Sequence, residues 1–160
     1  MDYIGYFQEL PPELSTFLIS MLPIAELRGA IPVAIGVYHL NPITTLILAI
    51  AGNIVPVIFI LKYIEPVSGY LMKRSRILNR FFTWLFERTR RKYNGDFEKW
   101  GPLALITFVA IPLPMTGGYS GAIAAFVFGI PFKKALLSIS IGVILAGLIV
   151  MGLTLGILKL

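Results

Sequence analysis

Three stretches of the chain contain no Asp, Glu, Lys or Arg, namely residues 29–61, 100–132 and 135–158. A membrane-spanning helix needs about 20 predominantly apolar residues, so each stretch is long enough to cross a bilayer. Of the 160 residues, 57% are hydrophobic and 14% are charged, whereas about a quarter of a soluble domain is charged. The sequence therefore predicts an all-α integral protein that passes through the cell membrane several times.

The first two uncharged stretches are each 33 residues long. As one helix such a stretch would measure about 50 Å against a hydrocarbon core of about 30 Å, yet it is short for two full crossings. Both regions contain residues that interrupt helices. We therefore expect two re-entrant hairpins, each entering and leaving the membrane on the same side. Their expected breakpoints are Pro23, Gly29 and Pro32 in the first region, and Pro112, Pro114, Gly117, Gly118 and Gly121 in the second.

The distribution of charge predicts which ends face the cytoplasm. Residues 73–99 contain nine Lys or Arg against three Asp or Glu, and loops rich in Lys and Arg stay cytoplasmic. Lys133 and Lys134 are expected on the same side, which requires the region before them to turn back. The N-terminal segment is acidic and lacks a basic n-region, so we expect no cleavable signal peptide and an outer location for this end.

The two halves of the chain correspond weakly in sequence. A shift of 89 residues places Pro23 on Pro112, Gly29 on Gly118 and Pro42 on Pro131. The sequence thus predicts a single membrane domain, residues 1–160, of two inverted halves joined by a basic amphipathic cytoplasmic segment. Its predicted parts are a hairpin at 14–40, a transmembrane helix at 42–62, the basic segment at 65–99, a second hairpin at 101–130 and a second transmembrane helix at 135–158.

The run PIAELRGAIP places Glu26 and Arg28 inside the first hairpin. Irregular backbone and charge at membrane depth are tolerated where protein or water satisfies them, so we expect this tip to meet the second one. Side chains two residues apart on a helix diverge, and each is expected to have another partner. Arg28 is suited to hold carbonyl groups or an anionic group. Glu26 is suited to gain and lose a proton, although an ion network that only fixes the two hairpins is the alternative.

Two polar residues join this predicted substrate and proton pathway. Asn53 is expected to bind a neighbouring helix or a carbonyl of a broken helix, and Thr116 lies at the second tip. His39 is expected at the membrane interface, because a metal site needs several ligands; no metal or cofactor is predicted. Glycines of the last helix indicate close packing, either within the chain or in a homo-oligomer: Gly142, Gly147, Gly152 and Gly156.

The basic run between the halves interleaves arginines with apolar residues such as Leu71, Leu78, Phe82 and Leu85. This pattern is typical of an amphipathic helix on an anionic lipid surface. The alternative is that the run only fixes topology. Nucleic acid is not an expected partner, because the aromatic residues suit the membrane interface better.

The motifs ELRGAIPVAIG at 26–36, Gly52-Asn53, FVAIPLPMTGGYSGAIAA at 108–125 and IGVILAG at 141–147 resemble those of the small multi-drug export proteins, a distant branch of the DedA/VTT superfamily. The resemblance covers residues 22–147. It implies export, re-entrant hairpins, movement of lipids or lipid-linked phosphates, and proton coupling. Members of that superfamily carry arginines in the second re-entrant motif, whereas Met115, Thr116 and Gly117 stand here.

The chain contains no paired carboxylates, nucleophile elbow or P-loop lysine, so an enzyme is not predicted. Two functions follow from the sequence. The first is a transporter that exports small amphipathic molecules or translocates lipids, with proton coupling. The second is a membrane scaffold that organises lipid without transport. Membrane lipids, protons and an amphipathic or anionic substrate are the expected partners.

Overall fold

The computed structural model describes residues 10–77, 79–80, 83–84, 87, 96–113 and 116–158. Helices account for most of this part of the chain, and no strand occurs in it. The all-α class that the sequence predicts is confirmed for these residues. The delimited helices are α1 (Pro12–Ser20), α2 (Glu26–Gly36), α3 (Pro42–Arg74), α4 (Asp96–Ala110), α5 (Gly118–Val127) and α6 (Phe132–Leu158).

Two helices are long and apolar enough to cross a membrane. These are α3 with 33 residues and α6 with 27, and their most apolar windows have mean hydropathies of 2.4 and 2.6. Helix α3 begins where Asn41 Oδ1 accepts a hydrogen bond of 2.9 Å from the Ile43 N–H. It continues to Arg74, beyond the end predicted at 62, because polar residues such as Lys62 and Glu65 favour helix as well as apolar ones do.

The other helices are short and form two hairpins. Helices α1 and α2, with 9 and 11 residues, measure about 14 and 17 Å, about half of a hydrocarbon core. They reverse direction at residues 21–25 and pack against each other. Helices α4 and α5 are in contact as well, and residues 111–117 connect them.

The two long helices expose many large apolar side chains and bury some polar ones. Large apolar side chains of the long helices are exposed, including Ile43, Phe59, Leu153 and Ile157, while Thr45 and Asn53 are fully buried. Exposed apolar surface of this extent is typical of helices that face lipid. The arrangement agrees with the membrane class that the composition indicates.

The chain forms two compact units. One contains Met1–Pro56 and Val143–Leu160, and the other contains Val57–Gly142. The boundaries between the units fall inside α3 and α6, so each long helix has one part in each unit. The first hairpin belongs to the first unit and the second hairpin to the second.

A glycine brings each long helix close to the backbone of a short one. In the first unit, a Cβ on Gly52 of α3 would collide with the Phe17 carbonyl oxygen and Ser20 Oγ at the end of α1. In the second unit, a Cβ on Gly142 of α6 would lie 2.9 Å from the Ile106 carbonyl oxygen and 2.7 Å from Val109 Cβ at the end of α4. Each approach is therefore possible only without a side chain.

These two contacts extend the internal repeat. Gly52 and Gly142 are 90 residues apart, and so are His39 (φ 52°) and Gly129 (φ 65°), which follow α2 and α5 in left-handed conformation. Each half consists of a short helical hairpin followed by a long apolar helix. These features recur at a spacing of 90 residues, one more than the shift in the sequence, and the inverted arrangement of the two halves stays a prediction.

The other glycines of the last helix divide into two kinds. A Cβ on Gly147 would lie 2.9 Å from Leu46 Cδ1, so this residue packs within the first unit. Around Gly152 and Gly156 a Cβ would meet nothing within 4 Å. Packing inside the chain accounts for Gly142 and Gly147, and a homo-oligomer stays a prediction for the other two.

We expect Gly52→Ala to lower the free energy of unfolding by about 1–3 kcal/mol, the usual range for an overpacked helix contact. The matched control is Gly152→Ala in the same unit, where open space surrounds the new methyl group. That change should leave stability unchanged or raise it by up to about 1 kcal/mol, because alanine favours helix over glycine. Thermal unfolding of both variants in detergent measures the difference, and equal midpoints would contradict the close approach.

Candidate functional site

Glu26 is buried and its backbone is strained. It is the first residue of α2, it is only 7% exposed, and its φ is 47°. A residue other than glycine rarely adopts this left-handed conformation, and such strain concentrates at functional sites. The N–H groups and dipole of the helix N-terminus favour a negative group at this position.

Arg28 approaches the carboxylate of Glu26. Arg28 Nη2 lies 3.9 Å from Glu26 Oε2, which is an ion contact longer than a hydrogen bond. The sequence predicts that the two side chains diverge, because residues at i and i+2 of a helix do so. That expectation is wrong for these atoms, since the left-handed backbone of Glu26 is not helical. Both residues have further interactions as well.

The predicted breakpoints of the first hairpin differ in their structural roles. Pro23 lies in the reversal at residues 21–25, whereas Gly29 and Pro32 lie inside α2. Pro32 has no N–H, so the carbonyl group of Arg28 receives no backbone hydrogen bond from it. The ring itself is exposed and displaces no neighbour. The first turn of α2 thus presents a carboxylate, a guanidinium and a carbonyl group outside the helical ladder.

Asn53 joins α3 to the end of α1, as the sequence predicts. Its Nδ2 donates to the Ser20 carbonyl oxygen at 3.5 Å, which covers a carbonyl at the C-terminus of a short helix. Among the described residues, Asn53 Oδ1 is a buried atom without a hydrogen-bond partner. Asn53 thus brings a buried polar side chain to the contact between α3 and the end of α1.

Sequence reasoning missed Thr45, two turns before Asn53 on the buried side of α3. The residue is fully buried, and Thr45 Oγ1 has no hydrogen-bond partner within the part of the chain that the structure describes. Two adjacent threonines, Thr44 and Thr45, stand near the start of this helix, and the pair alone does not show which one is buried. The spacing of eight residues from Thr45 to Asn53, with Ala49 between them, is the signal that could have revealed it.

The second hairpin contributes a different chemistry. Thr116 Oγ1 lies 2.6 Å from the Ile111 carbonyl oxygen and 2.8 Å from that of Leu113, donates to one of them, and accepts from the Leu113 N–H at 3.1 Å. The hydroxyl thus closes the turn, and Gly117 follows it with a φ of 153° that favours glycine. Pro112 lies in this turn, and Pro114 lies outside the described residues. Residues 100–132 carry no ionisable Asp, Glu, Lys or Arg.

The remaining glycines of the second hairpin allow close packing. Gly118 begins α5, and a Cβ on Gly121 would lie 2.6 Å from Val109 Cγ2 of α4. Of the predicted pathway, Glu26, Arg28 and Asn53 belong to the first unit and Thr116 to the second. His39 is exposed, and the described residues contain no group of three His, Asp or Glu able to hold a metal ion.

We expect Thr45→Val to raise the free energy of unfolding by about 1 kcal/mol, because it removes a buried hydroxyl without a partner and keeps the side-chain shape. The matched control is Thr16→Val, since Thr16 is also fully buried but donates to the Pro12 carbonyl oxygen at 2.7 Å. In the control, the free energy of unfolding should fall by about 1 kcal/mol. Unfolding in detergent compares them, and a destabilised Thr45→Val would show that the hydroxyl is satisfied.

Comparison with known proteins identifies the family. A family model described as "Putative small multi-drug export protein" matches residues 26–149, which include Glu26, the turn of the second hairpin and most of α6. No curated protein and no solved structure gives a significant match. The family name denotes a membrane transporter, and the two long apolar helices agree with a location in the membrane. The chain belongs to the small multi-drug export protein family.

Proposed function

We propose that the protein is a secondary transporter that exports small amphipathic molecules, and that Glu26 and Arg28 form its coupling site. The observation that carries this proposal is a buried carboxylate in strained backbone beside a guanidinium at the start of a short helix. Intramembrane ionisable groups at interrupted helices are typical of substrate and ion pathways. The family name supports export. The sequence resemblance to the DedA/VTT superfamily favours the same general mechanism.

The proposed topology has two re-entrant hairpins in inverted halves. Helices α1 and α2 each cover about half of a hydrocarbon core. The order of two shorter helices and one long helix occurs again in α4, α5 and α6. The basic segment at 65–99 lies on the cytoplasmic side in this proposal, together with Lys133 and Lys134. Much of that segment lies outside the described residues.

Proton coupling is the proposed role of Glu26. A carboxyl group at the N-terminus of α2 is stabilised in its charged form by the helix dipole and by Arg28, and burial opposes that charge. Opposing influences of this kind suit a group that changes protonation during a transport cycle. Arg28 in turn binds an anionic lipid head group or exposed backbone carbonyl groups while Glu26 is protonated.

We expect Glu26→Gln to abolish transport driven by a pH gradient in liposomes, because the amide keeps the shape of the carboxyl group and cannot titrate. Uptake of a fluorescent amphipathic dye by reconstituted protein measures the effect. Glu13→Gln, on the exposed side of α1, is the matched control and should transport at the unmodified rate. Full pH-driven transport by Glu26→Gln would leave the charges a structural role. Absence of transport by the unmodified protein would favour the lipid-organising scaffold.

Arg28→Lys should lower the transport rate by about tenfold, because an ammonium group cannot replace the planar fork of a guanidinium. The positive charge near Glu26 is kept, so the pH at which the rate is half-maximal should stay nearly unchanged while the maximal rate falls. Initial rates across a series of pH values separate the two effects. An unchanged rate would exclude a fork-specific role for Arg28.

Single cysteines test the topology, since the natural chain has none. Glu13→Cys, Lys73→Cys and Lys134→Cys all replace exposed residues. A membrane-impermeant maleimide added to intact cells should label position 13 and leave positions 73 and 134 unlabelled until the membrane is opened. Labelling of position 134 without that of position 73 would exclude the second re-entrant hairpin.

A further inference from the structure

A cavity of about 740 Å³ lies within the unit Val57–Gly142. One face of α3 forms a wall, with residues spaced three or four apart as one side of a helix requires. Residues 126–132, the end of α5 and the start of α6, form another wall, and Thr83 and Glu87 complete the lining. The α3 face consists of Leu61, Ile64, Glu65, Ser68, Gly69 and Met72.

The size and surface of this cavity fit a small organic molecule. Drug-sized ligands occupy pockets of about 300–1,000 Å³ that are mostly apolar. Phenylalanines 126, 128 and 132 belong to the second wall, and Phe128 and Phe132 are 40% and 42% exposed. Aromatic faces of this kind bind both apolar groups and cations. Gly69 lines the cavity without a side chain, and a Cβ added there would meet nothing within 4 Å.

Among the described residues that line the cavity, the charged ones are Glu65 and Glu87, although the chain carries a net charge of +6. Neither carboxylate forms an ion pair with a basic residue of the described ranges. The end of α5 adds the negative end of a helix dipole, which the N-terminus of α6 offsets. Arg76 and Arg80 line an adjoining space that shares Thr83 and Glu87 with the cavity. Glu65 is the carboxylate that lines the cavity but not the adjoining space.

We propose that this cavity binds the substrate, and that the substrate is a lipophilic cation with a quaternary or delocalised charge and aromatic or alkyl groups. The inference rests on the proposed export function and names the class of molecule exported. Apolar side chains bind the body of the cation, while Glu65 and Glu87 stabilise its charge. In the proposed topology the cavity takes its ligand from the cytoplasmic side.

Binding of tetraphenylphosphonium to the purified full chain in detergent tests the proposal. Equilibrium dialysis against protein-free micelles should show saturable binding of the cation. Tetraphenylborate has the same shape and the opposite charge, so it should compete poorly even though the chain is basic overall. Equal competition by the borate, or no saturable binding of the phosphonium, would overturn the proposal.

Variants locate the site. Gly69→Leu fills the cavity and should weaken binding by at least about tenfold, a loss typical of blocked apolar pockets. Glu65→Gln and Glu87→Gln should each weaken it by about threefold to fivefold, because these ion contacts are partly solvated. Gly152→Leu places the same side chain in open space in the other unit and should bind normally, as should Glu13→Gln. Unchanged binding in Gly69→Leu would reject this cavity.

Transport of the same cation into liposomes separates this site from the export proposal. Saturable binding that is lost in Gly69→Leu, without any transport, confirms the site and rejects export. Transport that Gly69→Leu leaves unchanged confirms export and rejects the site. Loss of both binding and transport in Gly69→Leu, with both retained in Gly152→Leu, confirms the two proposals together.

Discussion

The contact between Gly52 and the last turn of α1 is the interaction on which the first unit depends. At the end of α1 the carbonyl groups of Phe17, Leu18 and Ile19 accept hydrogen bonds from the N–H groups of Met21 and Leu22. Gly52 lets α3 approach the Phe17 carbonyl directly, which brings Asn53 to the Ser20 carbonyl. Gly142 repeats the approach against the Ile106 carbonyl of α4. Close helix contact thus makes an interrupted helix tolerable.

Once α1 and α2 are held in this way, the first turn of α2 can carry chemistry that lipid would not accept. The left-handed backbone of Glu26 brings its carboxylate to within 3.9 Å of the Arg28 guanidinium, and Pro32 removes an N–H from the same turn. Each of these features weakens the helix locally. A buried carboxylate in strained backbone is what distinguishes this part of α2 from ordinary packing.

Much of the architecture could be predicted from the sequence, because length and uncharged composition determine what a membrane accepts. The helical class, the long helices and the short hairpin around Pro23 follow from those two properties. The contact of Glu26 with Arg28 could not be predicted, because a non-glycine residue gives no sign of left-handed backbone. The isolated hydroxyl of Thr45 and the cavity beside Glu65 depend on which elements pack together. Three identities indicate the 89-residue repeat in the sequence, and the structure adds the similar contacts of Gly52 and Gly142 at a spacing of 90 residues.

The division of the chain into units has a consequence for the order in which the protein assembles during synthesis. Residues 57–142 are continuous, so this unit has all its parts once α6 is half made. The first unit begins earlier but also contains Val143–Leu160, where Gly147 packs against Leu46. Contacts between α3 and residues 143–158 can therefore form only after that part of α6 has been made, later than the contacts within the second unit.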